Sequence, residues 1–211
     1  LFRSSPPLLN GSAFHHGKAV FYESGSRGKA MTAALSFISS SRKSYESEEE
    51  LSLARTRIPA MLSAWIERFG LRDLEHYRIL EVEREHEIHL YGNFLFTVRL
   101  DALVRDREGN LIILETKTSS WRPELTEVEL NNGEQATAYI AAVAAIQKKP
   151  LSRIFLLPDI VSWPKGSISI AKLSCYRGEL IQRDERAIEQ RHLGMSNMLA
   201  EVEQQVTALL S

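Results

Sequence analysis

"DALVRDREGNLIILETK", residues 101–117, decides how this chain is read. Two apolar stretches flank Asp106-Arg107-Glu108-Gly109-Asn110, a run of turn-forming residues. A three-residue hairpin loop favours a left-handed residue in its third place, and Gly109 adopts that conformation without a steric penalty. Centring the turn on Glu108 sets a register in which Asp106 faces Asn110, Leu103 faces Ile113 and Asp101 faces Glu115. Directly opposed residues have Cβ atoms about 5 Å apart, so two carboxylates there repel each other. Charges at the end of an apolar strand are costly unless something needs them. A divalent cation between the acids reverses the sign of the interaction. Lys117, two residues beyond Glu115, projects from the same face. Hard oxygen ligands of this kind suit Mg2+ or Mn2+ better than zinc, and the Thr116 carbonyl could add another. Metal-assisted hydrolysis of a phosphodiester uses such a set, with Lys117 orienting the nucleophile or stabilising the developing charge. The competing reading is a structural salt bridge, Asp101–Lys117 or Glu115–Lys117. Two acids in matched register weigh against it.

The surrounding sequence supplies a sheet and helices to carry this hairpin. From about Arg78 the pattern alternates, with Val82, Arg84, His86, Ile88 and Leu90 on one side and Glu83, Glu85, Glu87 and His89 on the other. That period marks a strand with one wet face. "FLFTVRLDALV" and "NLIILETK" are more apolar and so more central. On the N-terminal side, "NGSAFHHGKAVFYES" reads as a helix capped by Asn10 or Ser12, and "GSRGKAMTAALSFISS" as a second one. Residues 39–47 read as exposed. Ser47-Glu48-Glu49-Glu50 has the form of a capping box. The helix it starts is apolar at Leu51, Ile58, Met61, Leu62, Trp65, Ile66 and Phe69, with a kink or break expected at Pro59 and a C′ glycine at Gly70. "ELNNGEQATAYIAAVAAIQ" is a further helix, "LSRIFLLPDI" and "GSISIAKLSCY" two more strands, and the C-terminal stretch one long helix or two. The order implies an α/β fold with a central mixed β-sheet flanked by helices. We expect a single domain over residues 1–211, with a helical N-terminal part at about 10–70, a catalytic core at about 78–176 and a C-terminal helix at about 177–210.

Composition bounds the partners. The 211 residues are 44% hydrophobic and 25% charged, with a formal net charge of −1. A polyanion would therefore have to meet a local patch. Lys18, Arg27 and Lys29 could form one, or be ordinary solvated charges. The single cysteine, Cys175, excludes an intrachain disulfide and a four-thiolate cluster. It is compatible with a reducing compartment, and a cytoplasmic location is expected. No stretch approaches the roughly 20 apolar residues of a membrane span, and the first residues lack a signal-peptide pattern. No P-loop is present.

"VRLD", twelve residues and then "LETK" resemble the D…(D/E)-x-K core of the PD-(D/E)XK nuclease superfamily. "GEQATAYIAA", with Gln135 and Tyr139, resembles the Q-x-x-x-Y helix of its RecB-type exonuclease branch. "NGSAFHHG", with Gly11 and His15, resembles the branch's G-x-x-x-H helix. Glu83 in "EVEREHEIHL" resembles the glutamate of the strand before the D strand. These motifs span roughly residues 10–140, in the family's order.

The resemblance implies a restriction-endonuclease-like core. It implies metal binding by His15, Asp101 and Glu115, catalysis by Lys117, and a Gln135 that contacts the scissile strand or steadies the lysine, with Tyr139 beside it. It also implies Mg2+- or Mn2+-dependent cleavage of DNA, more exonucleolytic than endonucleolytic, with recombination or replication proteins as partners. Two features depart from the family. Val98 stands where glycine often precedes the aspartate by three residues. The four-cysteine iron–sulfur cluster of several members is excluded here.

Other residues invite a functional reading beside these. Trp121 could stack on a base and Arg122 hold a phosphate, or Trp121 could anchor its loop. His16 should point away from His15. The Glu83, Glu85, Glu87 and His89 face reads as solvated, Glu83 gaining from the resemblance. An endonuclease of the same fold and a non-catalytic DNA-binding module are the alternatives; retention of Asp101, Glu115 and Lys117 argues against the latter.

Overall fold

Ser47 begins its helix as its sequence suggests: its side chain accepts the Glu50 N–H. The reciprocal bond differs by one residue, since the Glu50 carboxylate reaches the N–H of Glu46 and not that of Ser47. The computed structural model describes residues 6–91, 94–119, 123–163, 172–190, 193–194, 197 and 200. Its N-terminal part comprises α1 (Pro6–Ser24), α2 (Arg27–Ser40) and α3 (Glu48–Trp65). A π-helical turn (Ile66–Gly70) and the short α4 (Leu71–His76) follow.

Of the kink or break expected at Pro59 in α3, the break does not occur, and the expectation for Gly70 needs correction. The helix passes through Pro59 unbroken. The local cost, about 3 kcal/mol for an interior proline, is offset by burial of Ile58, Met61, Leu62 and Trp65 along the same turns. Gly70 does not end the helix in a left-handed turn; it is helical, with φ −56°, and the chain continues into α4. What it provides is room. A Cβ there would lie 2.8 Å from Phe21 Cε1 and 3.0 Å from Trp65 Cζ3. Gly70→Ala is therefore expected to destabilise the fold by about 1–3 kcal/mol through overpacking. Urea unfolding checks this; an unchanged midpoint would mean the aromatic pair yields freely.

The sheet holds five strands in the order β1 (Arg78–Tyr91), β2 (Phe94–Arg105), β3 (Leu111–Ser119), β4 (Ile154–Ser162) and β5 (Ser174–Arg177). All neighbours are antiparallel except β3 and β4, which are parallel. A parallel pair needs a crossover, and the chain makes it through α5 (Pro123–Asn132) and α6 (Glu134–Gln147). The single helix expected here is divided at Gly133, where a Cβ would meet the Glu129 carbonyl oxygen at 2.4 Å. α1, α2 and α3 pack against Ala102, Val104, Ile112, Leu114, Leu157 and Val161. Ala136, Ile140 and Val143 of α6 pack against Leu103, Leu111, Ile113, Ile154 and Leu156. Residues Leu111–Leu114 are thus buried from both sides, as an unbroken apolar run predicts. The fold is α/β, with a central mixed sheet flanked by helices.

After β5 the chain stays extended, and Ile181 exchanges two backbone bonds with Leu156 at 2.8 and 2.9 Å. Residues 185–190 are helical, and Asp184 accepts the Ala187 N–H at 2.7 Å. The C-terminal helix therefore starts at residue 185 and not at 177. Pairing with Leu156 competes with helix at Gly178–Asp184, and Gly178 lowers helix propensity there.

A buried polar network joins the helices to the sheet. Arg177 donates Nη1 to Asp73 Oδ1 (2.7 Å) and Nε to Asp159 Oδ1 (2.6 Å). Its Nη2 serves the second oxygens of both acids at 2.9 and 2.8 Å. Tyr22 completes Asp73 at 2.8 Å, and Trp65 Nε1 completes Asp159 at 2.9 Å. No helix among the described residues is long and apolar enough to cross a membrane.

Candidate active site

The hairpin turn forms as its residues dictate. Gly109 has φ +84°, Asp106 N–H donates to the Asn110 carbonyl at 3.1 Å, and Gly109 N–H returns to the Asp106 carbonyl at 3.3 Å. Asp106 Oδ1 also accepts the N–H groups of Glu108 and Asn110. The ladder beyond pairs Arg105 with Leu111, Val104 with Ile112 and Leu103 with Ile113. The paired ladder ends at Leu103 and Ile113, and Asp101 and Glu115 lie beyond it. There the Thr116 N–H turns to the Asp101 side chain, donating to Oδ2 at 2.7 Å.

The strand on the other side of Asp101 is irregular at the same level. Val82 pairs with Ala102 and Arg84 with Leu100, which brings Glu83 opposite Asp101. Glu83 has φ +48°, a left-handed conformation costly for a residue with a Cβ. Side-chain alternation in β2 slips here too. Leu100 and Leu103 pack with α6, whereas Ala102 and Val104 pack with the N-terminal helices. Such an irregularity re-aims side chains, and it turns both acids toward α1. His15 of α1 meets them, with Nδ1 3.2 Å from Asp101 Oδ2 and 3.4 Å from Glu83 Oε1. One ligand atom from each of His15, Glu83 and Asp101 lies within 4.8 Å of the other two.

On β3, Glu115 is 2% exposed. Its Oε1 accepts Lys117 Nζ at 2.7 Å and Gln135 Nε2 at 3.0 Å, and Gln135 also reaches Tyr139 OH at 2.9 Å. Its Oε2 is buried without a hydrogen-bond partner. A cleft of about 960 Å³ is lined by His15, Glu83, Asp101, Glu115, Thr116, Lys117, Gln135 and Tyr139.

The charges are strongly interdependent. Burial disfavours charge on His15, but Asp101 and Glu83 outweigh it and raise the imidazole to about 9. Burial likewise opposes ionisation of Asp101, and His15 and Lys18 overcome it to hold the carboxyl well below its ordinary range. Glu115 is pushed up, first by burial and then by Asp101, against Lys117. Lys117 is raised because Glu115 and Asp101 outweigh its burial. Burial and Glu115 raise Tyr139.

The structure brings His15, Asp101, Glu115, Thr116, Lys117, Gln135 and Tyr139 into one cleft. Trp121 and Arg122 lie outside the described residues. His16 is exposed, sits at the rim of this cleft and faces Phe37 at a ring separation of 5.9 Å. Glu83 is a member of the cluster, whereas Glu85 and Glu87 keep the solvated character expected of that face. The larger correction is Lys18. It is 1% exposed, and its Nζ reaches Asp101 Oδ2 (3.5 Å), the Leu114 carbonyl (3.4 Å) and Thr116 Oγ1. A signal was present: Lys18 stands four residues from both Phe14 and Tyr22, on the apolar face of α1. Arg27 and Lys29 are exposed, Arg27 paired with Glu67 at 2.7 Å.

A family model described as the PD-(D/E)XK nuclease superfamily matches residues 2–209. The chain belongs to the PD-(D/E)XK nuclease superfamily. Solved structures that resemble this nuclease-superfamily chain include a protein of Eubacterium rectale described as a candidate exonuclease. That match has a TM-score of 0.50 and 13% identity, and it covers 94% of this chain and 66% of the other. The structure of SSO0001 matches with a TM-score of 0.36 and 23% identity over 75% of this chain and 70% of that one. A search of curated proteins gave no match. The first likeness bears on the fold alone.

PD-(D/E)XK nucleases use divalent metals, and the residues here fit such an ion. Ligand bonds of 2.0–2.1 Å at right angles separate neighbouring donors by about 3 Å. The His15 contacts of 3.2 and 3.4 Å are close to that spacing. The unpartnered Glu115 Oε2 adds acceptor capacity beside them.

Proposed function

We propose that this PD-(D/E)XK chain is a metal-dependent deoxyribonuclease that trims DNA from a free end, using Mg2+ or Mn2+. The observation that carries the reading is the convergence of His15, Glu83 and Asp101 beside the Glu115–Lys117 pair in one cleft. The two carboxylates of its donor set suit Mg2+ or Mn2+, whereas the imidazole is a ligand that softer metals also take. A bound ion would polarise the phosphoryl oxygen and make water a better nucleophile. The chain's own groups do the rest. His15, Glu83 and Asp101 hold the ion, with Glu115 and the Thr116 carbonyl as further oxygens. Lys117 is held protonated at neutral pH by Glu115 and Asp101, so it orients the attacking water and stabilises charge on the phosphate without accepting a proton. Gln135 fixes Glu115 and Tyr139, keeping the acid and the amine in register.

The preference for ends rests on the Gln135 and Tyr139 motif, which resembles the RecB-type exonucleases. Residues 1–211 would act as one nuclease domain inside the cell. The setting would be DNA recombination, repair, or processing of phage or mobile-element DNA, with recombination or replication proteins as partners. The test offers linear and covalently closed circular DNA, single- and double-stranded, with Mg2+, Mn2+ or EDTA. Degradation of linear DNA only, and only with metal, is expected. Cutting of closed circles would make the chain an endonuclease, and cleavage in EDTA would overturn the metal role.

A further inference from the structure

Lys18 lies outside the four motifs by which this sequence resembles the family. Its Nζ is enclosed, with Asp101 Oδ2, the Leu114 carbonyl and Thr116 Oγ1 as three acceptors. These match the three donors of an ammonium group. The Tyr22 and Trp65 rings stand 5.8 and 5.6 Å away, close enough for cation–π attraction. At 1% exposure it cannot touch a substrate. Yet it grips the place where β2 and β3 are joined through a side chain, Thr116 N–H to Asp101 Oδ2, beyond the paired residues of the ladder. It also sits one helical turn from His15, so one helix delivers both a ligand and a fixed cation. Every contact described for Asp101 falls on Oδ2: Lys18, the Thr116 N–H and His15.

Two-ion sites hold both metals on a shared carboxylate oxygen. Lys18 Nζ stands 3.5 Å from Oδ2, on the buried side of Asp101. We propose that Lys18 is a positioning residue that fixes Asp101 and Thr116 from within and takes the place of a second metal, so that the centre binds a single divalent ion. This rests on the metal-dependent reading above and concerns how the ion is held and counted.

The experiment titrates the purified full chain with Mn2+, by calorimetry and by electron paramagnetic resonance, and measures DNA cleavage at saturating Mn2+. Wild type and Lys18→Met are compared, with circular dichroism reporting the fold. Wild type should bind one Mn2+ per chain. Lys18→Met removes a positive charge beside the ligands, so its Mn2+ affinity should hold or tighten, or a second ion should enter. Its kcat should nevertheless fall roughly 10²-fold, as expected when a reacting geometry shifts by about 1 Å, with KM moving much less. A merely structural lysine would weaken metal binding, and excess Mn2+ would restore kcat; that result overturns the proposal. Two ions in wild type, or a Lys18→Met enzyme with full kcat, overturn it as well.

Should Lys18→Met fail to fold, Thr116→Val breaks the same link from the other end and keeps the backbone carbonyl. It should lower kcat about tenfold at unchanged stoichiometry, and full activity would count against the assignment. Wild-type cleavage with one bound ion alongside an unaffected Lys18→Met sinks this inference alone. A wild type that neither binds Mn2+ nor cleaves DNA sinks both.

Discussion

Lys117→Ala is expected to slow DNA cleavage by at least ~10²-fold at saturating metal, the scale seen when a major electrostatic stabiliser is removed. The side chain is 33% exposed, so truncation costs little packing. Its partner Glu115 keeps the Gln135 donor at 3.0 Å, which preserves the fold of the site. The loss should therefore fall on kcat, with unchanged Mn2+ stoichiometry. Lys117→Arg should not restore the rate, because a planar guanidinium cannot place a point charge where the ammonium sits. Single-turnover cleavage of end-labelled DNA measures this. A Lys117→Ala enzyme with wild-type kcat would leave the Glu115–Lys117 pair as a structural salt bridge.

Arg177→Met should produce the largest loss of stability. The guanidinium bridges two carboxylates that are 1% and 0% exposed, Asp73 and Asp159. Removing it strands both. Breaking a buried ion pair by deleting one partner typically costs about 3–5 kcal/mol. The pH dependence has a definite sign. In the intact protein burial already raises Asp159, against Arg177. Without Arg177 the folded-state value of Asp159 rises further above its unfolded value. A carboxyl raised in this way penalises the folded state once it ionises, so the variant's stability falls as pH rises through the window between the two values. The deficit relative to wild type should shrink toward pH 4 and widen toward pH 8. Urea unfolding at both pH values checks this. An equal deficit at both would mean the carboxylates are relieved by water.

Residues 101–117 made much of this architecture readable. A turn at Gly109 fixes the register that pairs Leu103 with Ile113. The apolar run at Leu111–Leu114 could be recognised as central because burial on both faces leaves no polar alternation to preserve. The shape of the cluster was less legible. Glu83 belongs to an alternating acidic strand that looks solvated throughout, and only a left-handed residue opposite Asp101 turns this one glutamate inward. Nothing local in "EVEREHE" announces that conformation. Lys18 was passed over for a different reason: a lysine on an apolar helix face is usually a solvated end on a buried stem. Here acceptors from two strands, 83 to 98 residues away, hold the head group inside. Pro59 and Gly70 misled because local rules treat them as breaks, whereas packing around Trp65 and Phe21 decides the outcome.

The position of the metal tests the centre of the account most directly. Anomalous diffraction at the manganese edge, from crystals grown with Mn2+ and a non-cleavable DNA strand, locates the ion without relying on activity. One peak is expected within ligand distance of His15 Nδ1, Glu83 and Asp101, with Lys117 beside the phosphate. A peak elsewhere, or none in this cleft while DNA is bound, would contradict it.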